Sequence, residues 1–411
     1  MTDALYREVY EKLERTGQQH LLAWYDELTD SEKEALLTGI RDADFSYLRY
    51  FNDRNDEAEA GVIEPLPAMT ISEIAENETA FHDAGLRLLG EGRVAAVILA
   101  GGMGTRLGHT GPKGTFDIGV TRHIYIFQRL VENLMLRVHE AGRWIRLFIM
   151  TSELNDDETR DFFEAHGYFG YDPSYVHFFR QTTAPCVDEN GMVLLETKSR
   201  IAASPSGNGG WFSSMLDAGF SELMEREQIE FLSVFSVDNV LQSVCDPVFI
   251  GAMVMRGCRA GAKVVRKVSP DEKVGSICMK NGAPAVVEYS EMTDALREKK
   301  DENGEYAYGF GVLVNYLFSV SGLREVTDAK LPVHFAHKKI PHIDADGNPV
   351  TPREPNGWKF EYFIFDVLPA LNSCLPFEVA REREFAPVKN RTGADSVDTA
   401  RELCRLSGIP L

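Results

Sequence analysis

The sequence predicts a doubly wound, mixed-sheet α/β fold with a helical region ahead of it and a short extension behind. Val94–Leu99 is an unbroken apolar run that ends in glycines, the pattern of a parallel strand buried on both faces. After it, apolar runs of strand length alternate with segments of helical period, as a doubly wound sheet requires. Before it, Leu5, Val9 and Leu13 recur at helical spacing among charges.

Residues 1–90 are expected to form the helical region, a scaffold packed on the main domain. Ser31 opens a Ser-x-x-Glu capping box with Glu34, followed by the apolar pair Leu36 and Leu37. Pro65-Leu66-Pro67 reads as a connector. Residues 91–375 form the α/β domain. After the Val94–Leu99 strand, Ile124, Phe127, Val131, Leu134 and Val138 share one helix face. Arg146–Thr151 is a second strand, Asp156–Ala165 a helix, Val176–Phe179 a third strand, and Phe231–Val237 a fourth, ending at Asp238. Strands at Ala262–Val268, Gly275–Met279, Ala285–Tyr289 and Gly311–Val320 continue the sheet, with a β-rich layer over the site. Glu361–Pro369 is expected to be helical, and residues 376–411 form the short C-terminal segment. No internal repeat is visible. Ligands of such sheets lie at the carboxyl ends of strands, so the loops after Leu99, Phe179 and Val237 are the places to look.

With 411 residues, 44% of them hydrophobic, the chain can bury a large core and more than one domain. Its formal net charge of −20 repels nucleic acid and anionic membranes. A small anion is still admissible, because salt screens surface fields beyond about 8–10 Å and a local Lys/Arg cluster can dominate within that range. Cys186, Cys245, Cys258, Cys278, Cys374 and Cys404 form neither a CxxC pair nor a zinc-spaced group with histidine, so reduced thiols of a cytosolic protein are expected. The N-terminus has no basic and apolar leader, and no apolar run nears the roughly 18–20 residues of a membrane span. A cytoplasmic protein without nucleic-acid or membrane partners is expected, a monomer or a weak homo-oligomer.

Chemistry concentrates in Leu99-Ala100-Gly101-Gly102-Met103-Gly104-Thr105-Arg106-Leu107-Gly108, with Pro112-Lys113 beyond it. A strand leads in and a helix is expected to follow. Glycines let the backbone approach a triphosphate and aim successive N–H groups at it. Arg106 can hold phosphate oxygens bidentately, and Lys113 can reach the same anion as a point charge. The P-loop pattern is absent, since Thr105-Arg106 follows Gly104 where Gly-Lys-Ser/Thr is required. The dinucleotide fingerprint also fails: Leu107 stands where the third glycine should be, which argues against a nicotinamide dehydrogenase.

This loop, continued by Pro112-Lys113-Gly114, resembles the signature of the eukaryotic-type UDP-N-acetylhexosamine and UDP-glucose pyrophosphorylase superfamily. Pro205-Ser206-Gly207-Asn208-Gly209-Gly210, Val237-Asp238-Asn239, Val287-Glu288-Tyr289-Ser290-Glu291 and Pro387-Val388-Lys389-Asn390 resemble further blocks of its N-acetylhexosamine branch. Lys338-Lys339-Ile340-Pro341 and Pro355-Asn356-Gly357 also fit. The resemblance spans about residues 90 to 400 and implies a Rossmann-like, GT-A-like nucleotidyltransferase domain at 91–375.

The resemblance implies transfer of uridylyl from UTP to a sugar 1-phosphate, foremost an N-acetylhexosamine 1-phosphate, with Mg²⁺ as cofactor. It gives Arg106, Lys113 and Lys389 the neutralisation of phosphate charge. Leu99, Gly101, Gly102, Gly104, Thr105, Gln181 and Gly207 fall to the nucleotide, with Gln181 reading uracil through its amide. Asn208, Gly275, Glu288, Asn315, Phe363 and Phe365 fall to the sugar, and Asp238 to the metal. On the residues alone, Asp238 also suits a helix N-cap, Gly207 and Asn208 a plain tight turn, and the two phenylalanines a core. One departure concerns the branch's Gly-Asn-Ile-Ala-Asn-type strand, which here reads Gly311-Val312-Leu313-Val314-Asn315, with valine in place of the first asparagine. The chain is also shorter after Lys389, so a C-terminal assembly domain is expected to be reduced. Glucose 1-phosphate as acceptor and a nucleotide-sugar binding protein without turnover are the alternatives.

Overall fold

The computed structural model describes residues 2–52, 61–329 and 331–411. Met1, part of the N-terminus in which no leader is read, lies outside the described residues. Chain contacts divide the protein into two compact units. Residues 2–52, 182–210 and 331–364 make the first, and residues 61–181, 211–329 and 365–411 the second.

The second unit carries the expected doubly wound, mixed sheet, with ten strands among the described residues. Four neighbours run parallel in the spatial order Phe231–Ser236, Val94–Leu99, Leu147–Thr151 and Val176–Arg180, and Leu375–Glu378 pairs parallel with Ala260–Arg266. Val94–Leu99 lies centrally and every residue in it is buried, which is why it reads as continuous rather than alternating. Phe310–Ser319 pairs antiparallel with Phe231–Ser236 and makes the sheet mixed. Ala260–Arg266, Ser276–Lys280 and Ala283–Val287 join the same sheet instead of building a separate layer. Pro65, expected in a connector, ends the short edge strand Ile63–Pro65 against Ser276–Lys280. A proline is tolerated there because an edge strand leaves one side of its backbone unpaired.

The helix expected around Ile124–Val138 spans Ile126–Ala141 and buries Phe127, Leu130, Val131, Leu134 and Val138. Gly142 ends it in the left-handed region that caps helices. Asp156–Ala165 is helical over its full expected length. Pro247–Met255, apolar on all sides, packs on the helix Ile71–Glu91. Their backbones nearly touch: a Cβ on Gly85 would fall 1.9 Å from Pro247 O, and one on Gly251 1.8 Å from Phe81 O.

The region 1–90 is therefore not one body. Residues 61–90 belong to the second unit, while residues 2–52 belong to the first. In that first unit Val9, Leu13, Leu36, Leu37 and Ile40 form a core with Ala184, Val187 and Phe360. Its capping box is Thr29 with Glu32, two residues ahead of the expected Ser31–Glu34. Both pairs fit the motif, and the earlier start places Asp30 and Glu32 in the first turn, where the helix dipole favours them. The segment expected to be helical from Glu361 is a strand as far as that residue. Gly357–Glu361 pairs with His334–Lys338 and buries Phe360, and only then do the short helical turns Ile364–Val367 and Leu368–Leu371 follow. Among the described residues no helix is long and apolar enough to cross a membrane, and all six cysteines are free thiols.

Candidate active site

In the second unit the glycine-rich loop leaves the carboxyl end of the central strand. It does not run straight into a helix. Two 3₁₀ turns, Thr105–Leu107 and Lys113–Thr115, come first. Gly104 N–H donates to Gly111 O (3.0 Å) and Lys113 N–H to Gly102 O (3.1 Å), so the loop doubles back and returns Lys113 to Gly102. Gly114 lies so close to the following helix that a Cβ would sit 2.2 Å from Phe127. Gly102, Thr105 and Arg106 are exposed, and no described residue accepts from the amides of Gly101, Gly102 and Met103. Unpaired amides beside glycines form the concave donor set that suits phosphate oxygens.

Asn155 is a support that sequence reading missed. It is 1% exposed and its Nδ2 donates to Ala100 O (3.0 Å) and Gly102 O (3.3 Å), tying the loop to the end of the neighbouring strand. An asparagine ahead of a helix reads as an N-cap, but its side-chain oxygen instead accepts from Ser152 N–H at 2.8 Å.

Three cations and one carboxylate lie near one another. Lys113, only 6% exposed, places Nζ 2.5 Å from Asp238 Oδ1. Burial lowers the Lys113 pKa, Asp238 opposes that, and Arg106 and Lys389 add to the lowering. Arg106 makes no ion pair among the described residues, and Lys389 Nζ lies 3.7 Å from Asp395. Asp238 begins no helix, so it is not an N-cap; its carbonyl accepts from Val388 N–H at 2.9 Å, which seats Lys389 beside it. Gln181 follows the Val176–Arg180 strand, 9% exposed, with its amide against Gly101, where a Cβ would lie 2.0 Å from Nε2. Leu99, the last residue of the central strand, is buried behind the loop.

Gly275 faces Glu288, whose Oε1 would lie 3.1 Å from a Cβ at that glycine. Tyr316 is fully buried, and its pKa is raised first by burial and then by Cys374, Glu288 and Asp366. Its hydroxyl has no hydrogen-bond partner among the described residues. Asn315 is on the opposite face. Side chains alternate along a strand, so Asn315 shares its face with Leu313 and Leu317, and Val312 and Val314 share theirs with Tyr316. Asn315 Nδ2 donates to Gln242 Oε1 (3.1 Å) and Ser243 O (3.2 Å), a buried network away from Glu288. Phe365 is buried in this unit.

Gly207, Asn208 and Phe363 belong to the first unit. Gly207 has a positive φ of 83°, and a Cβ there would lie 2.3 Å from Tyr362 O. Asn208 Oδ1 accepts from Ile364 N–H at 2.9 Å, and Phe363 packs on His334 with ring centroids 4.6 Å apart.

No group of three or more His, Cys, Asp or Glu side chains able to hold a metal occurs among the described residues. A site made of one carboxylate completed by substrate phosphates and water is the arrangement Mg²⁺ accepts, and partly exposed Asp238 beside the loop fits it.

The family model described as UTP–glucose-1-phosphate uridylyltransferase matches residues 45–399. The chain is 37% identical to the human UDP-N-acetylhexosamine pyrophosphorylase-like protein 1, over 96% of this chain and 83% of that one. It is 36% identical to the UDP-N-acetylglucosamine pyrophosphorylase of Saccharomyces cerevisiae, over 95% and 85%. Among solved structures it resembles the uridine diphosphate N-acetylglucosamine pyrophosphorylase of Trypanosoma brucei, with a TM-score of 0.82 at 28% identity over 96% of this chain and 83% of that chain. A UDP-glucose pyrophosphorylase from Leishmania major, 16% identical with a TM-score of 0.66 over 92% and 77%, shares the fold. With its loop, its mixed sheet and most of its length matched, the chain belongs to the UTP–glucose-1-phosphate uridylyltransferase family, a family of nucleotidyltransferases.

Proposed function

We propose that this protein transfers uridylyl from UTP to an N-acetylhexosamine 1-phosphate and releases pyrophosphate. The observation that carries the reading is the buried Lys113, held at Asp238 beside the doubled-back glycine loop and near Arg106 and Lys389. An oxygen of the sugar phosphate attacks the α-phosphorus of UTP in line. The new P–O bond forms as the bond from the α-phosphorus to the bridging oxygen breaks, and that oxygen leaves with pyrophosphate. No covalent enzyme intermediate is required, so the work is positioning and neutralisation.

The loop amides and Arg106 hold the phosphates. Lys113 and Lys389 offset the repulsion between two anions that must meet. Gln181 pairs with the uracil edge, and Gly275, Glu288 and Phe365 are assigned to the hexose. Asn315 acts through the network behind the sheet. Asp238 would hold Mg²⁺, which would supply additional charge neutralisation there. The likeness to relatives named for N-acetylglucosamine and N-acetylhexosamine supports an acetamido sugar, and reduced thiols support a cytoplasmic setting.

Comparing kcat/KM for the 1-phosphates of N-acetylglucosamine, N-acetylgalactosamine, glucose and galactose tests the acceptor. The two acetamido sugars should lead by about tenfold or more, the scale of one good pocket contact. A lead for glucose 1-phosphate would transfer the assignment to that acceptor.

A further inference from the structure

Lys263 lies on the Ala260–Arg266 strand and is 0% exposed. Its ammonium donates to Asp246 Oδ2 at 2.7 Å, to Glu384 Oε2 at 2.7 Å and to Ser243 O at 3.2 Å. Burying three charges is costly and by itself a poor source of stability, so such a cluster points to a requirement for fixed geometry. Glu384 is the joint. Its carboxylate also accepts from Ser243 N–H (3.2 Å), and its carbonyl accepts from Asn239 Nδ2 (2.6 Å). Asn239 Oδ1 in turn accepts from Ala386 N–H at 2.9 Å. Val240 N–H donates to Ala386 O at 3.3 Å, and Val388 N–H to Asp238 O at 2.9 Å. Residues 384–388 are thus laid rung by rung along residues 238–243, and the next residue is Lys389.

We infer that Glu384, anchored by Lys263 and clamped by Asn239, is a positioning residue that sets Lys389 against the phosphates. One end of the ladder is a buried ion pair and the other is Asp238, so the anchor determines which residue emerges beside Asp238. The inference rests on the reading of Lys389 as a phosphate-neutralising cation.

A double-mutant cycle on the full-length protein separates the two ideas, with kcat, KM and Tm measured for Glu384→Gln, Lys389→Ala and the double variant. Glu384→Gln leaves Lys263 paired with Asp246, a neutral buried pair. It should lower kcat about tenfold while KM for UTP changes little, and in the Lys389→Ala background it should change kcat less than about twofold. Should Glu384→Gln fail to fold, Asn239→Asp, which removes the donor to Glu384 O and leaves the ion pair intact, takes its place in the same cycle. An unchanged kcat in Lys389→Ala would remove Lys389 from the reaction. An impaired Lys389→Ala combined with equal losses in both backgrounds would leave Lys389 in place and overturn the positioning role. Wild-type kcat in Glu384→Gln would overturn it as well.

Discussion

Lys113 is a cation in surroundings that work against its charge. Burial, Arg106 and Lys389 all lower its pKa, and Asp238 holds the proton in place. In the proposed reaction a triphosphate would supply the missing anions at this lysine. Lys113→Ala should lower kcat by about 10²–10³, or roughly 3–4 kcal/mol of barrier, in steady-state assays, with circular dichroism and Tm close to wild type. An unchanged kcat would take the lysine out of the mechanism. His177 gives a prediction about stability instead. Burial first, then Arg146, pushes its pKa down to about 4, and its ring stacks on Phe148 at 5.2 Å. The unfolded chain binds this proton more readily than the folded one, so stability is lost as pH falls from about 6.5 to 4. His177→Gln should shrink the drop in Tm between those pH values; an equal drop in both proteins would clear His177 of that role. Single residues were legible in the sequence where they belong to a contiguous motif. Lys113, Arg106 and Asp238 stand in such motifs, and the buried Lys113 meets the partly exposed Asp238 as an ion pair. Asn155 and Glu384 were not legible, because their partners lie about fifty to more than a hundred residues away and only the fold brings them together.

At the scale of elements, the strands were the easiest to read. Val94–Leu99 is buried through its length and Phe231–Ser236 at all but its two end residues, and a continuous apolar run needs no register to be recognised. The glycine loop was legible as the connection leaving the central strand, but its doubling back was not. That path depends on the Asn155 anchor and on the close approach of Gly114 to Phe127. Asn155→Ala would remove a donor from Ala100 O and leave Gly102 O with Lys113 N–H alone. Chemical denaturation should show a loss of about 1–3 kcal/mol, and KM for UTP should rise as the loop slackens. A stability loss with unchanged KM would make Asn155 a purely structural anchor. The strand Phe310–Ser319 carries a subtler lesson. Val312 and Asn315 are three positions apart, so alternation sends them to opposite faces. Motif comparison alone assigned Asn315 to the sugar, while the pleat turns it toward Gln242 and Ser243.

On the scale of the whole molecule, composition anticipated more than one compact unit but not where the chain divides. Helical periodicity treats residues 1–90 as continuous. The division follows packing instead, because Gly85 and Gly251 let Ile71–Glu91 lie tightly on Pro247–Met255, while residues 2–52 share a core with strands from 182–210 and 331–364. A chain of net charge −20 that gathers Arg106, Lys113 and Lys389 around one loop concentrates its attraction for anions there. The central claim is that this loop supports uridylyl transfer and not binding alone. Pyrophosphate release in the presence of Mg²⁺, measured for each nucleoside triphosphate with each hexose 1-phosphate, tests it most directly. Release should require both substrates and be fastest with UTP and N-acetylhexosamine 1-phosphate; no release with any pair would contradict it and leave a nucleotide-sugar binding protein.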